Sequence, residues 1–316
     1  MRVLYKSGPS NVAANYRPIT IIPLLYKLFA ILLLNRIEPT IEKQQLTDQA
    51  AYRKGYSTDD HLFVFAQLHE KTLEHRLDYW IAAIDFRKAF DSIEHDSLWG
   101  ALLDQGVETQ YVSLLKKLYI GQSARVCTDE LSKQFEIGRG TKQGDPLSAA
   151  LFSALLEGIM RKCKASWASH KCGIQMGVGD SSRLTNLRFA DDVLLIARTK
   201  KQLTTMLSDV CREAHRCGLQ LHPEKTKILT TASEKSGRCN HVIVGDMKIE
   251  VLDREEHVKY LGSYVCCERR QEVELKHRIQ AAWAKFASHK QELTNNSYAL
   301  GQRLRLFDAT LTPTAL

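Results

Sequence analysis

NLRFADDVLLIA, residues 186–197, sets two adjacent aspartates between two short runs of strand-forming residues. Leu187 to Phe189 and Val193 to Ile196 are apolar and in part β-branched or aromatic. The Ala190-Asp191-Asp192 step between them is short enough for a tight hairpin turn. The spacing therefore predicts a hairpin carrying two carboxylates at its tip. Like charges held together in protein raise each other's pKa, and a fold that keeps both commonly supplies a cation, for which hard divalent ions such as Mg²⁺ are suited. A solvated Asp-Asp turn is the plainer alternative, since aspartate is a common turn residue. A third carboxylate decides between them.

Upstream, Tyr79 to Phe86 (YWIAAIDF) is a nearly continuous apolar run interrupted by Asp85, as expected of a strand buried on both faces. A carboxylate at the end of such a strand needs a cation, a hydrogen-bond network or a proton, so Asp85 is the third acid. Between the two segments, Gly138 to Pro146 (GRGTKQGDP) packs three glycines into seven residues. These permit close backbone approach to a ligand, with Asp145 placed as the N-cap and Pro146 as the first residue of a helix. The Gly-Lys-Ser/Thr ending of a P-loop is absent.

The 316 residues allow one large or two to three modest domains. With 44% hydrophobic and 25% charged residues the chain is ordinary globular material, which excludes disordered and fibrous classes. Its 44 Lys and Arg against 36 Asp and Glu leave a formal charge of +8, a surplus that suits a polyanionic partner. The eight cysteines show no Cys-x-x-Cys pairing, and Met1 to Ser10 has no apolar signal core, so a reduced, intracellular protein of cytoplasm or nucleus is expected.

Helical spacing of Leu24, Leu25, Leu28, Ile31 and Leu32 predicts a buried helix ending before Pro39. Arg53 and Lys54 form a basic turn ahead of a helix capped by Ser57 or Thr58; such a turn can hold phosphate or simply be solvated charge. Leu219 to Leu221 and Lys227 to Thr231 read as a strand pair around His222 to Lys225, and Val258 to Val265 as one strand. From 268 the pattern becomes helical and mixed in charge, placing a domain boundary at 267/268.

A buried strand ending in Asp85, a glycine-rich loop feeding a helix, and an Asp-Asp hairpin, in that order, form the layout of a nucleotidyl-transfer palm. There, metal ions held by such acids activate a 3′-hydroxyl and stabilise the leaving pyrophosphate. The blocks NYRPI, QAAYRKGYST, AAIDFRKAFDSI, GTKQGDPLSAALF, RFADDVLLIA, GLQLHPEKTKIL and VKYLGSYV resemble, in order, those of reverse transcriptases of non-LTR (LINE-type) retrotransposons. The resemblance covers roughly residues 6–265.

It implies an α+β right-hand polymerase, with fingers and palm (an antiparallel sheet flanked by helices) over 1–267 and a truncated, partial helical thumb over 268–316. It also implies an RNA template, a DNA primer, dNTPs and two Mg²⁺ ions, with Mn²⁺ as a substitute. Asp85 and Asp191 would bind both metals, the Phe86 carbonyl would complete one shell and Asp192 would assist. Phe90 would exclude a ribose 2′-hydroxyl, Gln143 and Gly144 would line the nucleotide pocket, Arg53 and Lys54 would grip the triphosphate, and Lys225 would protonate pyrophosphate. Ala51 and Ala149 depart from the family's usual glycine and proline. No endonuclease domain or Cys-His knuckle is visible, so a fragment or decayed copy is expected, with an inactive nucleic-acid-binding remnant as the alternative function.

Overall fold

The computed structural model describes residues 1–6, 8–177, 183–233, 238–268 and 270–315. Close packing divides the chain into two units, Met1–Leu252 and Asp253–Leu316.

In the first unit, strands β1 (Arg2–Tyr5) and β2 (Tyr16–Ile19) pair antiparallel and lead into helix α1 (Leu24–Gln44). Helix α2 (Thr58–Glu74) opens with a capping box: the Asp60 N–H donates to Ser57 Oγ, and the Ser57 N–H donates back to the Asp60 carboxylate. Strand β3 (Trp80–Ile84) follows, then α3 (Ala89–Ser92), α4 (His95–Asp104) and α5 (Thr109–Tyr119). A minimal hairpin of β4 (Ser123–Ala124) and β5 (Phe135–Glu136) precedes α6 (Pro146–Ser169). As its sequence predicts, α6 has Asp145 as N-cap, accepting from the Leu147 N–H at 3.0 Å, and Pro146 as first residue. After the short pair β6 (Ile174–Gln175) and β7 (Arg183–Leu184) come β8 (Asn186–Phe189), β9 (Asp192–Ala197), α7 (Lys200–Arg216), β10 (Lys227–Thr230), β11 (His241–Val244) and β12 (Met247–Val251).

Six of these strands form one sheet in the order β11-β12-β10-β3-β9-β8, antiparallel except for the β10–β12 pair. β3 lies inside the sheet and is apolar on both faces because both are covered. Trp80, Ala82 and Ile84 join the core shared with α6 and α7, and Ile81 is equally buried on the face where His69 of α2 bonds the Tyr79 hydroxyl.

Within this unit the structure departs from three expectations. α1 continues through Pro39 to Gln44, its stripe of Ala30, Leu33, Ile37 and Ile41 buried on both sides of the proline, so packing outweighs the lost backbone bond. Nor is this helix buried all round: Leu24 and Leu25 are each 81% exposed, and Leu28 and Leu32 are exposed with them. The segments 219–221 and 227–230 do not pair with each other. Leu221 bridges Phe86 and β10 pairs with β3, so both extend the same edge of the strand that carries Asp85.

In the second unit, Val258 to Val265 is a hairpin and not one strand. β13 (His257–Tyr260) and β14 (Ser263–Cys266) turn at Leu261 and Gly262, both at positive φ (50° and 85°), the backbone of a primed two-residue turn. The hairpin is tied to helix α8 (Arg270–Ser288), where Glu274 accepts from the Ser263 hydroxyl and the Tyr264 N–H. These ties group the hairpin with α8. Helices α9 (Lys290–Thr294), α10 (Leu300–Thr310) and α11 (Thr312–Ala315) complete this unit. Among the described residues no helix is long and apolar enough to cross a membrane.

Candidate active site

The hairpin tip forms as the sequence predicts. Phe189 pairs with Asp192, leaving Ala190 and Asp191 as the two turn residues, and Ala190 adopts φ 56°. A left-handed alanine is strained, so the turn must be held from outside. The Gln49 side chain supplies the hold: its Oε1 accepts from the Ala190 N–H at 3.2 Å and from the Ala51 N–H at 3.0 Å.

β3 brings the third acid to this tip. Its register against β9 ends at Ile84 opposite Val193, so Asp85, one step on, comes level with Asp192. The Asp85 backbone is pinned on its other edge: its N–H donates to Thr226 Oγ1 at 3.3 Å and its carbonyl accepts from the His222 N–H at 2.8 Å. With the Arg87 N–H bonded to the Gln220 carbonyl, Phe86 sits between those bonds, and its own C=O turns away from that strand toward the β9 side.

The carboxylates act on one another. Burial raises Asp191 above the ordinary carboxylate range, repulsion from Asp85 adds to this, and its own backbone N–H, Arg17 and Lys6 oppose it. Asp192 is exposed at its edge of the tip, yet desolvation by the surrounding protein, then repulsion from Asp191 and Asp85, pushes it up to about 6.

Among the described residues no three His, Cys, Asp or Glu side chains are gathered closely enough to hold a metal ion as they stand. The donor chemistry nevertheless fits a hard divalent cation. Three mutually repelling carboxylates offer only oxygen, and the repulsion is what a cation relieves.

The glycine-rich loop lies against the segment that follows β3. The Thr141 N–H donates to the Phe90 carbonyl at 2.6 Å and the Gly140 N–H to the Ile93 carbonyl at 2.7 Å. At Gly140, φ is 84° and a Cβ would stand 2.6 Å from the Asp91 carbonyl oxygen, so only glycine allows this approach. The Thr20 N–H donates to the Gln143 carbonyl at 2.8 Å, joining the end of β2 to the same loop. Phe90, half-buried, stacks on Phe152 with centroids 4.5 Å apart. The loop that carries Gln143 thus bonds the backbone of Phe90 through Thr141. Lys225 is exposed on the turn whose His222 bonds Asp85, whereas its neighbour Lys227 is engaged with Glu250.

Arg53 goes elsewhere. Its Nε donates to Glu42 at 2.8 Å, its Nη1 donates to the Leu46 and Gln49 carbonyls, and its guanidinium lies 4.2 Å over the Tyr56 ring. It braces its own loop, and Lys54 points to solvent. The cations whose charge is felt at Asp191 are Arg17 and Lys6, each of which also acts on Asp91. Arg17 sits in the quoted NYRPI block, which was the available signal.

Residues 5–265 match the family described as reverse transcriptase (RNA-dependent DNA polymerase). The retrovirus-related Pol polyprotein of the type-1 retrotransposable element R2 from Popillia japonica is 29% identical over 272 residues, 82% of this chain and 36% of that protein. The Pol polyprotein of element R2DM from Drosophila melanogaster is 26% identical over 80% of this chain and 24% of its own length. The chain thus spans roughly a quarter to a third of these relatives. Among solved structures, a Candida tropicalis telomerase in complex with a TWJ fragment of telomeric RNA superposes with a TM-score of 0.54 at 12% identity. The match covers 95% of this chain and 51% of that one, a likeness of fold. The apo telomerase of the same organism gives a TM-score of 0.53 over 84% of this chain and 44% of its own.

Proposed function

The chain belongs to the reverse transcriptase (RNA-dependent DNA polymerase) family, among those of non-LTR retrotransposons, and we propose that it extends a DNA primer with dNTPs on an RNA template. The observation that carries this reading is the β3–β9 register, which brings Asp85 level with the Asp191-Asp192 tip across a gap of more than a hundred residues in sequence.

Enzymes of this family use divalent metal ions; two Mg²⁺ would be held by Asp85, Asp191 and the Phe86 carbonyl, with Asp192 as auxiliary. Bound there, they would supply Lewis-acid activation of the primer 3′-hydroxyl and neutralise charge developing on the phosphates. The chain's own residues do the rest. Phe90, fixed by its stack on Phe152, bars a 2′-hydroxyl, and Gln143 and Gly144 line the nucleotide pocket beside it. Arg17 and Lys6 take the phosphate-holding role that the sequence alone assigned to Arg53 and Lys54, because their charge is felt at Asp191. Lys225, free of the ion pair that occupies Lys227, hands a proton to the leaving pyrophosphate. Residues 1–267 serve as fingers and palm, 268–316 as thumb, and the site of action is intracellular.

Purified chain, a primed RNA template, Mg²⁺ and dNTPs should give primer extension, and Asp191→Asn should abolish it. Template binding without extension by the wild type would overturn this reading in favour of an inactive binding remnant.

A further inference from the structure

Arg188 lies three residues before Asp191 in a strand otherwise apolar at its neighbours, and it is 0% exposed. Its Nη2 donates to Glu157 Oε2 at 2.8 Å, and Glu157, on α6, is 0% exposed as well. The other Glu157 oxygen accepts from Arg161 Nε at 3.0 Å, and Arg161 in turn bonds the Gln44 carbonyl and side chain at the end of α1. The Arg188 backbone is held too: its N–H donates to the Asp48 carbonyl at 2.7 Å, and its carbonyl accepts from the Ala50 N–H at 3.0 Å. Between these two bonds stands Gln49, whose side chain grips the strained turn at Ala190.

Stability does not account for this pair. Replacing a buried ion pair with well-packed apolar side chains is often neutral or stabilising. Here the guanidinium is also only partly satisfied, since Nε and Nη1 meet no acceptor among the described residues. What the pair does hold is the backbone that leads into the hairpin tip, through the Asp48 and Ala50 bonds on either side of Gln49.

Resting on the polymerase reading above, we propose that Arg188 and Glu157 are positioning residues. Their pair fixes the hairpin tip to the helix that begins at the nucleotide loop, and so sets where Asp191 stands relative to Asp85.

Single replacements leave one buried charge uncompensated and are expected to fold poorly, so the double variant Arg188→Met/Glu157→Leu carries the test, with Arg188→Lys beside it. The double variant should melt at or above the wild-type temperature. It should bind Mn²⁺ about tenfold more weakly by electron paramagnetic resonance titration without nucleic acid. Its kcat should fall about tenfold to a hundredfold with KM for dNTP nearly unchanged, and Arg188→Lys should fall between. A stably folded double variant with wild-type Mn²⁺ affinity overturns the proposal, and so does a kcat loss that merely follows the unfolded fraction. Because Mn²⁺ titration needs no turnover, a wild-type chain inert in extension would remove the polymerase reading while still reporting on the pair.

Discussion

Asp192 and Asp191 are held above the ordinary carboxylate range by desolvation and mutual repulsion, and this makes the site a local weakness of the metal-free fold. The folded chain binds these protons more tightly than the unfolded one. The stability the site contributes is therefore fully present below about pH 4 and lost as pH rises through about 6. In chelator-containing buffer, Asp192→Asn should raise the melting temperature at pH 7.5 and leave it unchanged at pH 4. The gain should be on the order of 1 kcal/mol once solvent screening is allowed for; equal melting at pH 7.5 would contradict the repulsion. Phe90 offers a second test at this scale. Phe90→Ala should raise the use of rNTPs relative to dNTPs by about tenfold, and an unchanged ratio in competition assays would remove it as the sugar gate. The three acids were legible in the sequence because each breaks an apolar pattern. Arg17 and Lys6 were not, because an exposed cation in an extended segment carries no periodicity that tells which way it faces. The partners of Arg53 were illegible for the same reason: its type and turn fit a phosphate, and only the fold shows that Glu42 and two carbonyls lie within its reach.

Elements were most readable where local chemistry dictates them, as at the Ser57 box, the Asp145-Pro146 start of α6 and the turn at Ala190. They were least readable where strand partners are distant. Nothing in GLQLHPEKTKIL tells that both its apolar runs lie along Phe86 and β3, since partner choice is settled by the sheet already formed. Gly140 ties loop to fold at this scale. Gly140→Ala forces a Cβ onto the Asp91 carbonyl at a left-handed φ, and should cost about 1–3 kcal/mol in denaturant unfolding. Wild-type stability in that variant would mean that the loop approach is not required. The apolar spacing of α1 located the helix but not its cover. With Leu25 exposed and Leu33 buried, Leu25→Glu should change stability by no more than about 0.5 kcal/mol, while Leu33→Ala should cost about 2–5 kcal/mol. Equal losses from the two would contradict the burial seen here.

At the scale of the whole molecule, a sheet with β3 in its interior turns sequence distance into proximity: one strand delivers Asp85, and an antiparallel neighbour returns with Asp191 and Asp192. The same core supports α6, whose leading loop meets Phe90, so the acids and the glycine-rich loop are set by one body of packed side chains within Met1–Leu252. That the three acids serve one centre is the claim on which the rest depends, and Asp85→Asn tests it most directly. Single-turnover dNTP incorporation on a primed RNA template should fall by about a thousandfold or more in this variant, with its melting temperature near that of the wild type and template binding retained. Incorporation at the wild-type rate by a folded Asp85→Asn chain would contradict it.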